Sequence, residues 1–341
     1  LRISRFLPAS ASRADFDGHF RLELAATALD RPHDRPPTLQ AVTARLQQPQ
    51  PADRPVNDWV ARSETDQIVG TGFLMRLGAQ NPYLAGIGIT VHPDHRRHGI
   101  GTALLAQIAA AASGLTTLML EGVAVGGPGQ GFADRYGFVV VQSTVRQSLD
   151  MTQVDRSRWQ VTEVPGYRLA RWTGRAPDDL LASCASARNF IASRPHGDAA
   201  FVDPAWSPGS VRADEAVAHA ANRERRVIVA VHDRTRQVAG LTYLEVYRRH
   251  PELAVQQDTV VLPEHRGQRL GAWIKAASLR WLAEDRPDIR LVRTSTAADN
   301  TPMLAINEQV GFLADLATQD REASLGELLA RLSSPRSPGR G

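Results

Sequence analysis

The sequence predicts an α/β chain built as two like domains, and three observations carry that reading. At 341 residues the chain is about two domains long at roughly 150 residues each. A strand, a basic glycine turn and an apolar helix follow one another from Gly86 to Ala112 (GIGITVHPDHRRHGIGTALLAQIAAAA) and again from Asp258 to Trp281 (DTVVLPEHRGQRLGAWIKAASLRW). Two separate landmarks then share nearly one offset: Arg96 and Arg266 lie 170 residues apart, Gly137 and Gly311 174 apart. Such a period is too long for a solenoid repeat and points to duplication of a whole domain.

In chain order, Leu22 to Leu29 and Leu39 to Leu46 carry helical patterns separated by the breaker-rich stretch Arg31 to Pro37. Trp59 to Arg62 and Ile68 to Leu77 form a strand pair across a polar turn, and Gly86 to Val91 is the next strand. The helix Thr102 to Ala112 places Leu104, Leu105 and Ile108 on one face. Thr116 to Glu121 is a short strand, a glycine-rich loop and brief helix reach Tyr136, and Gly137-Phe138 opens the strand Val139 to Val145.

The polar stretch Met151 to Gly166 marks the boundary between domains at 1–152 and 165–332, with 333–341 as a disordered tail. The second half repeats the order. Tyr167 to Trp172 is a strand, and Pro177 to Ala192 and Arg212 to Asn222 are helices. The strands Val227 to His232, Val238 to Tyr247 and Thr259 to Leu262 lead into the second glycine turn. The helix Ala272 to Leu282, the strand Ile289 to Thr294 and the helix Thr301 to Gln309 follow, and a last helix begins after Gly326.

Composition narrows the function classes. With 43% apolar and 22% charged residues the chain is ordinary for a globular protein. No apolar run of membrane-spanning length occurs and the first residues lack a continuous apolar core, so the expectation is a cytoplasmic chain with no membrane partner. A net charge of +4 is too small to argue for nucleic acid, and Lys275 is the single lysine beside 39 arginines. Cys184 is the single cysteine, which excludes an internal disulfide framework and a cysteine-cluster metal site; it reads as a buried side chain. His92, His95 and His98 cross a strand-to-loop transition at a proline, so no metal site is expected there.

The chemistry lies in the turns. Arg96-Arg97-His98-Gly99-Ile100-Gly101 stands between a strand and a helix N-terminus, where unpaired backbone N–H groups and the positive end of the helix dipole face outward. That geometry suits a phosphate. The turn is neither a Walker loop nor a dinucleotide fingerprint, because no Gly-Lys-Ser/Thr follows and the third glycine is missing.

The pattern Val91-His92-Pro93, then Arg96-x-x-Gly99-x-Gly101 with a helix behind it, and Gly137-Phe138 after a second helix, resembles the acetyl-CoA signature of the GNAT superfamily of N-acetyltransferases. In the second half, Leu262 to Gly271 resembles the same loop, and Asn300 through Asn307 to Gly311-Phe312 the helix and strand beyond it. The resemblance covers nearly the whole chain and is to tandem GNAT proteins of the mycothiol-synthase-like kind. It implies two tandem GNAT domains, each a mixed, splayed central sheet flanked by helices, with the pantetheine arm of acetyl-CoA slotted into the splay. It implies cofactor binding by Val91, Arg96, Arg97, His98, Gly99, Gly101 and Thr102 in the first half. In the second half it implies Val261, Arg266, Gly267, Gln268, Arg269, Gly271, Ala272, Asn300 and Asn307.

The resemblance further implies direct acetyl transfer to a primary amine of a small molecule, with no metal, by a monomer or homodimer. The alternative is a CoA-binding sensor or scaffold without turnover. An alkylammonium is neutral only about once in 2,500 molecules at pH 7, so a base is expected. Family members carry an acidic residue five positions before the loop proline; here that position is Asp258 in the second half and Gly88 in the first. Asp258 is therefore the expected base, with Glu245 in reserve, and the first half has only Glu121 to offer. Arg269 replaces a loop glycine, which suits a backbone that needs no positive φ. The tyrosine that protonates the leaving thiolate in many members is replaced by Ala133 and Asn307, so the general acid is unassigned.

Overall fold

The computed structural model describes residues 1–32, 34–48, 54–160, 162–192, 197–203, 205–247 and 250–334. The described residues form twelve strands and nine α-helices. The tail expected at 333–341 lies outside them from residue 335 onward.

The chain divides into two compact units. The first takes Leu1–Gln142, Gly197–Val202 and the described chain from Gln319 onward; the second takes the remainder from Ser143 to Thr318. The sequence expectation is contiguous halves, 1–152 and 165–332, whereas the compact units interleave along the chain. The last strands are exchanged. β6 (Val139–Asp150) runs antiparallel to β11 (Leu291–Ala297) in the second unit, with Asp150 opposite Leu291 and Thr144 opposite Ala297. From Gln319 onward β12 (Leu313–Ser324) finishes the first unit, where the Asp320 side chain accepts from the backbone N–H of Gly122 at 2.8 Å and Leu325 N–H donates to Thr116 O at 2.8 Å. Each half carries a strand of the same pattern, so either pairing satisfies the same alternation.

In the first unit the sheet order is β1 (Arg2–Phe6), β2 (Val56–Arg62), β3 (Ile68–Arg76), β4 (Leu84–Val91), β5 (Thr117–Ala124), β12. The neighbours up to β4 are antiparallel, and β4 runs parallel to β5. β1 has no counterpart among the expected strands; its RISRF sequence lacks an apolar alternation, and it pairs along an edge with Trp59 opposite Arg5. The second unit has the matching order β7 (Tyr167–Thr173), β8 (Arg223–His232), β9 (Val238–Tyr247), β10 (His250–Val261), β11, β6, again with one parallel pair, β10 with β11.

Helices cover both faces of each sheet. In the first unit, α3 (Ile100–Ala111) packs Leu104, Leu105 and Ile108, all fully buried, onto Leu74, Ala85 and Leu118. Each such leucine stabilises the fold by about 2–3 kcal/mol. α1 (Arg13–Asp30) and α2 (Leu39–Leu46) bury Phe16, Leu22 and Val42 with Val60 and Ile68 in a separate cluster. α1 begins well before the expected Leu22 because Ser12 caps it in a reciprocal box with Asp15. In the second unit, α7 (Leu270–Asp285) packs Ala276, Leu279 and Leu282 with Leu244 and Val292, while α5 (Asp178–Ala192) packs Leu180, Cys184 and Ala187 with Leu241 and Tyr243. Successive residues of β9 thus face opposite layers: Leu244 meets α7 and Tyr243 meets α5.

Both parallel pairs open part-way along. β4 and β5 pair only as far as Ile87 opposite Leu120, although β4 continues to Val91 and β5 to Ala124. β10 and β11 pair only as far as Val255 opposite Arg293, although they continue to Val261 and Ala297. The unpaired ends make one slot per unit.

Candidate active site

Each slot leads to a loop of the same backbone shape. After a single 3-10 turn, Pro93–His95 or Pro263–His265, the next arginine is extended and its Nε donates back into the strand: Arg96 to Val91 O at 3.2 Å, Arg266 to Val261 O at 3.3 Å. Two left-handed residues follow in both loops. They are Arg97 (φ 68°) and Gly99 (φ 82°) in the first, Gly267 (φ 77°) and Arg269 (φ 62°) in the second. The expectation that Arg269 avoids positive φ is corrected by this geometry. The glycine and the arginine have exchanged places between the copies, and each loop holds one arginine at a cost of about 1–2 kcal/mol. Such strain recurs where backbone N–H groups are aimed at a ligand.

The helices behind the loops start without a side-chain cap at Gly99 and Arg269. By contrast α1, α2, α6 (Pro208–Ala220) and α8 (Thr301–Gln309) are capped by Ser12, Thr38, Ser207 and Asn300. The first N–H groups of α3 and α7 are thus left for an anion. Gly101 and Gly271 act through packing instead: a Cβ there would stand 3.1 Å from Phe132 and 3.0 Å from Ile306.

The slots themselves differ. In the first, Gly88 lies opposite Phe73, and a Cβ on Gly88 would stand 2.3 Å from the Phe73 ring. In the second, the residues at the 170 offset are Asp258 and Tyr243, and the Tyr243 hydroxyl donates to Asp258 Oδ2 at 3.4 Å. A β-bulge accompanies the change. Gln256 lies opposite Leu244 and Thr259 opposite Thr242, so Gln257 and Asp258 together face Tyr243, whereas β3 and β4 pair without interruption. Loss of solvation raises the Asp258 pKa, and the Asp203 carboxylate adds to the rise while Arg188, the Tyr243 hydrogen bond and Arg225 oppose it. The slot also holds an orphan: Gln256 donates through Nε2 to Thr242 Oγ1 and Tyr243 O, but its buried Oε1 has no hydrogen-bond partner among the described residues.

Residues 57–140 match the sequence profile of the acetyltransferase (GNAT) domain. A tandem GNAT protein from the clavulanic acid biosynthesis pathway, solved without acetyl-CoA, superposes with a TM-score of 0.76 at 28% identity, over 95% of this chain and 98% of that one. The fold is that of two tandem GNAT domains. At the level of fold alone it is also similar to a GCN5-related N-acetyltransferase from Sphaerobacter thermophilus, with TM-score 0.68, 13% identity and 95% of each chain covered. A GCN5-related glucosamine N-acetyltransferase region of a fungal multi-domain GH3 β-N-acetylglucosaminidase matches with TM-score 0.66 and 15% identity, over 94% of this chain and 38% of that one. A search of curated protein sequences finds no match. The fold is that of acetyl-CoA-dependent acetyl transfer.

Within this tandem GNAT fold the expected cofactor residues separate into two groups. Arg97, His98, Gly267, Gln268 and Arg269 are exposed on the loops, and Arg266 is exposed beside the Phe190 ring at 5.3 Å. Arg96 is instead held by Asp30 of α1 through two bonds of 2.8 and 2.6 Å, and Thr102 Oγ1 shares a 2.7 Å hydrogen bond with the buried Tyr136 hydroxyl. Ala272 is buried in the first turn of α7 and Asn300 caps α8.

Asn307 is fully buried, accepting from Lys275 Nζ and donating to Gln147 Oε1 at 2.7 Å and Thr296 Oγ1 at 3.2 Å. Glu245 is 2% exposed and crowded by donors. Arg225 reaches it at 2.9 and 2.7 Å, the Tyr247 hydroxyl at 3.0 Å and Arg223 at 3.3 Å. Glu121 follows the last paired residue of β5, and lost solvation and the Asp320 carboxylate raise its pKa. Cys184 is buried against Tyr243 and Leu180, and burial pushes its thiol up to about 12, which suits a packing role. Among the described residues no group of three or more His, Cys, Asp or Glu could hold a metal ion, and no helix is long and apolar enough to cross a membrane.

Proposed function

We propose that the protein transfers acetyl from acetyl-CoA directly to a primary amine of a small molecule, and that the second unit does the chemistry. The observation that carries the reading is the Tyr243–Asp258 pair at a slot whose copy holds Phe73 and Gly88. The residues present fit the cofactor: a pantetheine arm offers amide N–H groups to the orphaned Gln256 Oε1, and its pyrophosphate suits the uncapped start of α7 between Arg266 and Arg269.

Asp258 takes the amine proton. An alkylammonium near pKa 10.4 cannot lose its proton to a free carboxylate cheaply, but the nitrogen becomes strongly acidic as its bond to the acetyl carbon forms. Burial makes Asp258 a better base than an exposed aspartate, and Tyr243 fixes the carboxyl orientation. Glu245 has its oxygens occupied by Arg223, Arg225 and Tyr247 and holds that arginine pair in place.

The first unit keeps a complete phosphate loop and slot but neither the carboxylate nor the hydroxyl, which favours cofactor binding without turnover there. Thiol release from acetyl-CoA measured against a panel of primary amines tests the proposal. The expected result is release that depends on at least one amine. CoA binding with no release for any amine supports the sensor or scaffold reading instead.

A further inference from the structure

The chain's single lysine lies in the core beneath the second slot. Lys275, on α7, is 1% exposed, donates to Asn307 Oδ1 and stands 5.5 Å from the centre of the Phe312 ring. Asn307 links it to Thr296, in the part of β11 that β10 no longer pairs, and to Gln147 on β6, and all four residues are at most 6% exposed. An ammonium has three N–H donors, and Asn307 is the one hydrogen-bond acceptor found for it among the described residues.

The fold does not require this cluster. At the matching offsets the first unit has Leu105 for Lys275 and Ala133 for Asn307, both fully buried in an apolar core, and Gly122 for Thr296. Burying an amine where the same fold accepts leucine works against stability, so the polar set calls for another explanation. Its placement offers one. Tyr243, which binds Asp258, packs with the α5 layer, whereas Lys275 belongs to the helix that packs with Leu244 on the opposite face. The base thus belongs to the α5 side of the sheet and the buried amine to the α7 side, where Asn307 connects it to Thr296 beyond the last β10–β11 pair.

We propose that Lys275, held by Asn307, is the proton donor to the thiolate that leaves in the second unit. This rests on the reading of that unit as the acetyl-transferring one. As the amine nitrogen bonds to the acetyl carbon, Asp258 takes its proton. When the carbon–sulfur bond breaks, its electron pair returns to sulfur, and sulfur takes a proton from Lys275 Nζ. The products are the N-acetylated amine and CoA thiol; exchange with solvent returns Lys275 to the ammonium and Asp258 to the carboxylate. Burial lowers the Lys275 pKa to about 7, a value from which an amine gives up a proton readily at neutral pH. Gln147, Thr296, Asn307 and Phe312 face it from β6, β11, α8 and the start of β12, and none of them carries a charge that would hold the ammonium.

The test is the double variant Lys275→Leu with Asn307→Ala, which installs the residue pair that the first unit already packs; Lys275→Met alone is read the same way. In Lys275→Met, CoA affinity is expected to stay within about twofold, and in both variants turnover is expected to fall about 10- to 100-fold. Wild-type turnover is expected to decline as pH rises through about 7, the pH at which Lys275 loses its proton, and that limb is expected to vanish in the variant. Turnover within twofold of wild type with an unchanged pH profile overturns the assignment. Absence of amine-dependent thiol release in the wild type itself overturns the acetyltransferase reading instead.

Discussion

Asp258→Asn is expected to lower kcat about 100-fold while leaving acetyl-CoA affinity within about twofold, because the amide cannot take the proton that the amine must lose. The same substitution is expected to stabilise the fold at neutral pH. Asp258 has a raised folded pKa, so its contribution to stability is full below the ordinary value of 3.8 and is lost as pH rises through the folded value. At pH 7 the buried carboxylate is a cost that asparagine removes. A gain in Tm together with a loss of turnover is the signature of a residue kept for chemistry. A loss of both would instead make Asp258 part of the scaffold. The pH profile follows the same sign: turnover rises with pH as Asp258 ionises, before the decline assigned to Lys275.

Gly267→Asp is expected to weaken CoA binding at the second loop more than tenfold and to reduce turnover in step. Gly267 has φ 77° with open space around its Cα, so an aspartate meets backbone strain of about 1–2 kcal/mol but no clash. Its carboxylate then stands at the uncapped helix start where phosphate charge is to be received, and like charges at that range repel. Isothermal titration of CoA against the variant measures the effect; unchanged affinity would remove the second loop from the binding account.

Much of this was legible before the structure. The two glycine turns, their shared offset and the strands feeding them identified a duplicated α/β domain, and Asp258 against Gly88 was readable by counting. Strand exchange was not, because β6 and β12 carry equivalent patterns and nothing local chooses between partners. The left-handed Arg97 and Arg269 were hidden for a related reason: arginine gives no sign of positive φ, while the glycine that does had moved by two positions between copies. The Tyr243–Asp258 contact depends on a bulge, a pairing property that one strand cannot announce. Lys275 did leave a signal. A lone lysine among 39 arginines, on an apolar helix and aligned with Leu105, marks an amine that arginine cannot replace.

The proposed chemistry belongs to one of two similar slots, and turnover of the Gly99→Asp chain separates them. That variant places the same carboxylate on the first loop, where Gly99 has φ 82°, and leaves the second untouched. Amine-dependent thiol release within about twofold of wild type is the predicted result. Loss of release in Gly99→Asp, with release retained in Gly267→Asp, would contradict the assignment and move the chemistry to the first unit.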